Sequence, residues 1–154
     1  MALAGYTFRE AEERDFPGIE QLFDERKSSL ERPAGWTTWK YRRSPDGQAR
    51  VFVAVDPAGT IVGIIAYLPR QFTSAKTGAL SVMQALDVFV SPELRTKSVF
   101  LGLVALARRQ MQVPKLGLPN EFSRVFGLRA GWRELGRYDN WRFPVQVGEF
   151  VTGQ

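Results

Sequence analysis

The sequence of 154 residues contains neither cysteine nor histidine. Without cysteine there are no disulfides, no thiolate metal ligands and no thiol nucleophile. Without histidine, the usual base of a catalytic triad, the commonest zinc ligand and the usual proton carrier at neutral pH are all missing. An enzyme built from this chain must use carboxylates, hydroxyls, amides, backbone groups or water, or it must borrow the reactivity of a cofactor. We expect no metal site.

The sequence also has no long apolar segment, and no secretory signal is visible in it. The longest apolar run covers residues 61–68 and is interrupted by Gly63. A helix that spans a membrane needs about 20 apolar residues. The start of the chain, MALAGYTFRE, lacks the basic and apolar regions of a secretory signal. We therefore expect a cytoplasmic protein without a membrane partner.

The remaining composition is that of an ordinary globular protein, with 44% apolar and 24% charged residues. The length suits one domain, so we treat residues 1–154 as a single domain. The net charge of +5 favours an anionic partner, such as a phosphorylated cofactor or an acidic protein, although a solvated surface explains it equally well. Basic and aromatic residues do not interleave along one strand, so we expect no nucleic-acid partner.

Apolar periodicity predicts three helices. The first begins near Asp15, a candidate cap, with Pro17 in its first turn. The second has its apolar face over residues 99–107, and the third runs from Asn120, as N-cap, to Gly131, as the glycine that ends it. Residues 35–43 are aromatic and basic without a clear period.

The same patterns predict strands between these helices. They cover residues 6–9, 51–55, 61–68, 79–90 and 113–118, with a final strand pair within residues 133–145. The alternation of strands and helices predicts a mixed α/β protein whose sheet is flanked by helices.

The segment VFVSPELRTKSVF, residues 88–100, joins a strand to the start of a helix. Free backbone N–H groups and the helix dipole favour anions at such a position, and Arg95 and Lys97 add positive charge. This predicts a phosphate-binding loop. The alternative is an ordinary helix that is capped by Thr96 or Ser98 and whose cations are merely solvated.

The longer stretch VFVSPELRTKSVFLGLVALA resembles the acyl-CoA-binding motif of the GNAT superfamily of N-acetyltransferases, where V-x-P-E-x-R-G-x-G precedes a hydrophobic helix. The order of elements, Asn120 at a helix start and Gly131-Trp132 at its end are also similar to the family. Trp39-Lys40-Tyr41 with Ser-Pro-Asp-Gly at 44–47 resembles a subset found near polysaccharide and amino-sugar genes. The resemblance implies a mostly antiparallel central sheet whose splayed strands form an acyl-CoA cleft.

The resemblance also implies an activity, the transfer of an acyl group, normally acetyl, from acyl-CoA to a primary amine of a small molecule such as an amino sugar or amino acid. The cofactor-binding residues that it implies are Val88, Val90, Arg95, Thr96, Lys97, Ser98, Val99 and Asn120. A preactivated thioester needs positioning and an oxyanion donor more than a nucleophile, which suits a chain without cysteine or histidine.

Three positions depart from the family pattern. Thr96 and Ser98 replace the two motif glycines, and Gly127 stands where many members place a tyrosine acid. These departures leave open an inactive or weakly active acyl-CoA sensor or a protein-interaction domain. A third alternative is an acyltransferase whose acyl donor is acyl carrier protein, an acidic partner. A homodimer is a separate alternative that concerns the oligomeric state.

The acceptor side is expected at the strand that leads into the loop, where family members often place an acidic residue. Asp87 is the only carboxylate on that strand, so we predict it as the general base, with Gln84 as the other candidate. Strand alternation puts these two side chains on opposite faces unless a bulge intervenes. The alternative role for Asp87 is structural, as a loop cap or the partner of an arginine.

Trp36, Trp39 and Tyr41 are predicted to wall the acceptor pocket, because aromatic rings stack well on sugars. The alternative is a helix that packs its tryptophans on the sheet.

Overall fold

The protein was analysed as a computed structural model that describes residues 5–25, 32–76, 78–94 and 98–136. Its sheet has five strands in the order β1-β2-β3-β4-β5. The strands are β1 Thr7–Glu10, β2 Arg50–Val55, β3 Ile61–Ser74, β4 Gly78–Val90 and β5 Lys115–Gly117. Strands β1 to β4 pair antiparallel with one another in sequence, and β5 pairs parallel with β4. The predicted mixed sheet is confirmed.

Helices cover both faces of this sheet. They are α1 Phe16–Asp24, α2 Trp36–Arg42, α3 Val99–Gln110 and α4 Glu121–Arg129, with 3-10 turns at Glu13–Asp15 and Pro92–Leu94. Residues of α1 and α2 form one buried cluster with one face of the sheet, and residues of α3 form a second cluster with the other face. No helix in the described part of the chain is long and apolar enough to cross a membrane.

Successive side chains of β3 point alternately into the two buried clusters. Ile64 and Ala66 pack toward α1 and α2, whereas Ile65 and Tyr67 pack toward α3. Burial on both faces explains why residues 61–68 read as a continuous apolar run rather than as an alternating one.

Two glycines allow α3 to approach the sheet closely. A Cβ on Gly63 would lie 3.1 Å from a methyl carbon of Val99, and a Cβ on Gly102 would lie 2.6 Å from the ring of Phe8. The first turn of α3 is therefore held against the start of β3, next to the end of β4.

The start of α1 differs from the expectation. Asp15 makes no side-chain cap of α1. Its carboxylate instead accepts two hydrogen bonds from Arg9, at 2.6 and 2.7 Å, and one from the backbone N–H of Glu12, at 2.7 Å. Asp15 therefore occupies the predicted N-cap position, but its side chain does not cap the helix, because an arginine on β1 binds the same carboxylate.

Helix α2 forms where the sequence showed no period. The turn that precedes it uses Gly35 at φ 75°, a left-handed conformation that suits glycine. Glu20 of α1 then accepts hydrogen bonds from the backbone N–H groups of Gly35 and Thr37, and from the Thr37 hydroxyl at 2.6 Å. Burial raises the pKa of Glu20, but these hydrogen bonds outweigh it and hold the pKa below its ordinary value. A contact from α1 therefore satisfies the first turn of α2.

The predicted final strand pair is only partly covered by the structure. Residues 133–136 form no strand, and the rest of 133–145 lies outside the described residues.

Candidate active site

Strand β5 lies beside only part of β4. Their parallel pairing covers only three residue pairs and ends at Ala85 and Gly117, whereas β4 continues to Val90. Within the described residues, the last five residues of β4 have no strand beside them on that side. The expected splay of the sheet is present.

A tryptophan lies where β5 ends. A Cβ added to Gly117 would be only 2.1 Å from Cζ3 of Trp132, so the indole rests directly on the glycine backbone. Trp132 follows Gly131, whose φ of 83° ends α4, and its N–H donates to the carbonyl of Gly127 at 3.0 Å. The end of α4 thus places the ring that covers the last residue of β5.

The open side of β4 presents backbone hydrogen-bonding groups. Ser91 donates its N–H to Val62 of β3 at 2.9 Å. Successive residues of a strand point their backbone groups to opposite sides, so the N–H and C=O of Val90 point to the open edge. The Val90 side chain is buried against α3, and Val88 is half-exposed. An extended ligand that carries amides could therefore pair with this edge as a further strand does.

The N-terminus of α3 lies beyond that edge. Ser98 occupies the N-cap position at φ 59° and makes no side-chain cap hydrogen bond. The backbone N–H of Gly102 bonds to the Ser98 carbonyl at 3.1 Å, and the three earlier N–H groups, of residues 99–101, have no acceptor among the described residues. The alternative of a helix capped by the Ser98 hydroxyl was wrong, whereas Thr96, the other predicted cap, lies outside the described residues.

The other loop residues of the predicted phosphate site cannot be placed. Arg95, Thr96 and Lys97 lie outside the described residues, so their roles stay predictions. Val99 is fully buried, and only its backbone is available to a ligand.

A bulge interrupts β4 before it reaches the open edge. The register of β3 and β4 shifts between residues 64 and 66 of β3, where Asp87 and Val88 lie opposite a single residue. Asp87 has a φ of 42°, which is unusual for a residue with a side chain. The bulge shifts the alternation by one residue, and both Gln84 and Asp87 contact residues on the face that carries α2.

Asp87 is held by two neighbouring residues of α2. Its Oδ2 atom accepts a hydrogen bond from the Tyr41 hydroxyl at 2.9 Å and lies 2.6 Å from Nζ of Lys40. Burial, with a smaller contribution from the Asp87 charge, raises the pKa of Tyr41 far above its ordinary value, so the phenol remains a donor. The structural alternative for Asp87 was a loop cap or an ion pair with an arginine. The structure shows an ion pair, but its cation is Lys40. The role of Asp87 as a base stays a prediction.

Gln84 belongs to a separate polar chain on the same face. Its Oε1 accepts from Nε of Arg70 at 2.9 Å, and Arg70 also forms an ion pair with Asp46 in the loop after α2. This chain uses the carbonyl oxygen of Gln84, and its role in catalysis stays a prediction.

Of the three aromatic residues predicted for the acceptor pocket, Trp36 and Tyr41 contact each other and Trp39 lies apart on the surface. Trp36 and Tyr41 meet edge to face at 5.8 Å, and Trp36 also meets Phe23 at 5.4 Å, all within the core beneath α1 and α2. Trp39 is 68% exposed. The alternative of a tryptophan packed on the core thus describes Trp36 but not Trp39.

Asn120 acts as the predicted N-cap of α4. Its Oδ1 accepts hydrogen bonds from the backbone N–H and the hydroxyl of Ser123, both at 2.8 Å. Its proposed contact with a cofactor stays a prediction.

Lys40 and Arg70 are polar site residues that the sequence reasoning did not single out. A signal for Lys40 exists, because a lone carboxylate on an otherwise apolar strand needs a cation or donors when it is partly buried. Among the described residues, no group of three or more acidic side chains could hold a metal ion.

Comparison with solved structures finds the same architecture. A Trypanosoma brucei acetyltransferase is 20% identical with a TM-score of 0.64, covering 90% of this chain and 99% of that one. Glucosamine-6-phosphate N-acetyltransferase from Arabidopsis thaliana is 14% identical with a TM-score of 0.66, covering 90% and 99%. The aminoglycoside acetyltransferase AAC(6')-Iy, solved with a CoA bisubstrate analogue, is 14% identical with a TM-score of 0.70, covering 92% and 100%.

Comparisons of the sequence with protein-family models and with curated proteins give no match. The structural likeness therefore establishes the fold: the chain has the α/β fold of the GNAT N-acetyltransferases.

Proposed function

We propose that the protein is an N-acyltransferase that moves an acyl group, normally acetyl, from acyl-CoA to the primary amine of a small molecule. The observation that carries the proposal is the open edge of β4, which leads to the N-terminus of α3, where the Ser98 side chain makes no cap hydrogen bond. A structural neighbour with the same fold was solved with a CoA bisubstrate analogue.

The donor would use backbone groups for most of its binding. The amides of the pantetheine arm would pair with Val90, and the arm would pass Val88. The pyrophosphate would accept from the free N–H groups of residues 99–101, where the helix dipole favours negative charge. Arg95 and Lys97 would add charge, with Thr96 and Ser98 close to the phosphates.

The transfer would proceed by direct attack. The amine nitrogen attacks the thioester carbonyl, the new C–N bond forms, and the C–S bond breaks with its electrons on sulfur. The nitrogen loses one proton to the base and the sulfur gains one, so the products are an amide and free CoA. Asp87 is the proposed base, directly or through water, since it lies beside the open edge. With Gly127 in place of a tyrosine, water would protonate the thiolate.

Calorimetric titration with acetyl-CoA and with CoA tests the donor site. We expect heat of binding for both ligands, and no detectable heat at millimolar ligand would refute the proposal. Arg95→Ala should weaken binding with the fold intact. The matched control is Arg43→Ala, which removes the same charge from an exposed position at the end of α2.

A thiol-release assay with glucosamine, glucosamine 6-phosphate, neamine and lysine tests turnover. We expect release that depends on one class of amine, and we propose an amino sugar or amino acid. Transfer from acyl carrier protein but not from CoA would indicate the carrier-fed alternative.

One observation favours a second candidate, a non-catalytic acyl-CoA sensor. Ser98 keeps a Cβ in a left-handed conformation at a place where the resemblance expects glycine, and Asp87 is already paired with Lys40. Acetyl-CoA binding without thiol release for any amine would support the sensor.

A further inference from the structure

The two oxygens of the Asp87 carboxylate have different hydrogen-bond partners. Oδ2 accepts from the Tyr41 hydroxyl and is the oxygen nearest to the Lys40 ammonium, whereas no group among the described residues donates a hydrogen bond to Oδ1. The side chain is 19% exposed, so solvent or a ligand can reach it. The two oxygens of one carboxylate are therefore not equivalent.

The donors to Oδ2 are themselves fixed by packing. Tyr41 is fully buried, with Phe16 at 6.0 Å and Trp36 at 5.8 Å between ring centroids. Lys40 lies with its Nζ 5.7 Å from the centroid of Trp36, so its ammonium is held over the same ring. Because the two donors are consecutive residues of one short helix, they move together.

The backbone at Asp87 makes this support necessary. A left-handed conformation at a residue with a side chain persists only where its surroundings fix it. The bulge aims the side chain at α2, and the two donors of α2 complete the arrangement.

We infer that Lys40 and Tyr41 are positioning residues: they hold Oδ2 so that Oδ1 of Asp87 meets the acceptor amine. This inference rests on the proposed function. It assigns α2 a role in the reaction that differs from walling a pocket with aromatic rings.

The test compares two buried tyrosines. Tyr41→Phe removes a hydroxyl that bonds to Asp87, and Tyr67→Phe removes one that is buried on the opposite face of the sheet without a hydrogen-bond partner among the described residues. With the best amine of the panel, we expect Tyr41→Phe to lower kcat roughly tenfold to a hundredfold, because small displacements of a reacting group cost that much. The KM for acetyl-CoA should not change. Tyr67→Phe should retain the kcat of the unmodified protein.

A double variant separates positioning from packing. If Tyr41 acts through Asp87, then Tyr41→Phe adds no further loss once Asp87→Asn has removed the base, because residues that act as a unit are not additive. If Tyr41 only supports the fold, the two losses multiply. Lys40→Met should lower kcat roughly tenfold while Lys40→Arg, which keeps the charge, restores most of it.

The outcomes distinguish this inference from the function on which it rests. A chain that neither binds acetyl-CoA nor releases thiol overturns both. An active chain in which folded Tyr41→Phe matches Tyr67→Phe, or in which the Tyr41 and Asp87 losses multiply, overturns the positioning role alone. Should Tyr41→Phe fail to fold, the Lys40→Met and Lys40→Arg pair decides, because Lys40 is 29% exposed and lies outside the core.

Discussion

Replacing Ser98 by glycine should stabilise the protein. Ser98 has φ 59° and ψ 17°, and its hydroxyl makes no cap hydrogen bond, so the substitution removes strain without removing a cap. A left-handed conformation costs a residue with a Cβ roughly 1–2 kcal/mol. The extra freedom of glycine in the unfolded chain takes back about 0.4–1 kcal/mol. The expected net gain in the free energy of unfolding is about 0.5–1 kcal/mol.

Thermal and urea unfolding measure this gain. For a chain of this size, 1 kcal/mol raises Tm by about 2–4 °C, so we expect a rise of about 1–4 °C with an unchanged urea m value. Titration with CoA supplies a second readout. The Kd should fall, because the backbone at the start of α3 can then approach a phosphate without a Cβ in the way.

Ser98→Ala is the matched control, since it removes the hydroxyl and keeps the Cβ. We expect no stabilisation from it, with a change within about 0.5 kcal/mol. Equal stabilities for the alanine and glycine variants, or a less stable glycine variant, would show that strain at Ser98 is not what the φ angle implies.

Three further perturbations test the core and its charges. Gly102→Ala should destabilise by about 1–3 kcal/mol in urea unfolding, since its Cβ would lie 2.6 Å from the Phe8 ring. Hydrogen bonds from Arg9 chiefly hold the pKa of Asp15 below 3.8, so its stabilising contribution is present above pH about 4 and is lost as pH falls through the lowered pKa. When the free energy of unfolding is measured at a series of pH values, Asp15→Asn should lose less stability at acidic pH than the unmodified protein does. Tyr67→Phe should stabilise the protein by about 1 kcal/mol in a thermal melt, because its buried hydroxyl has no partner in the part of the chain that the structure describes.

Local patterns predicted the parts of the fold that depend on local physics. Asn120 caps α4 and Gly131 ends it in a left-handed conformation, as their positions in the sequence indicate. The strands at 51–55 and 61–68 and the strand leading to Val90 also follow from short-range signals.

Long-range contacts decided the parts that sequence reasoning missed. Helix α2 depends on Glu20 of α1 as well as on its own residues, so no apolar period marks it. The bulge at Asp87 arises from the register between two strands, which no residue pattern of β4 alone reveals. The ion pair joins Lys40 to Asp87, which lies 47 positions further along the chain, so it forms only once the sheet is assembled.

The contact between Gly117 and Trp132 has a consequence for how this protein can change over generations. No side chain fits between the β5 backbone and the indole, so any larger residue at 117 must be accompanied by a smaller one at 132. Sequence drift at these two positions is therefore coupled: a change at either one constrains what the other can become.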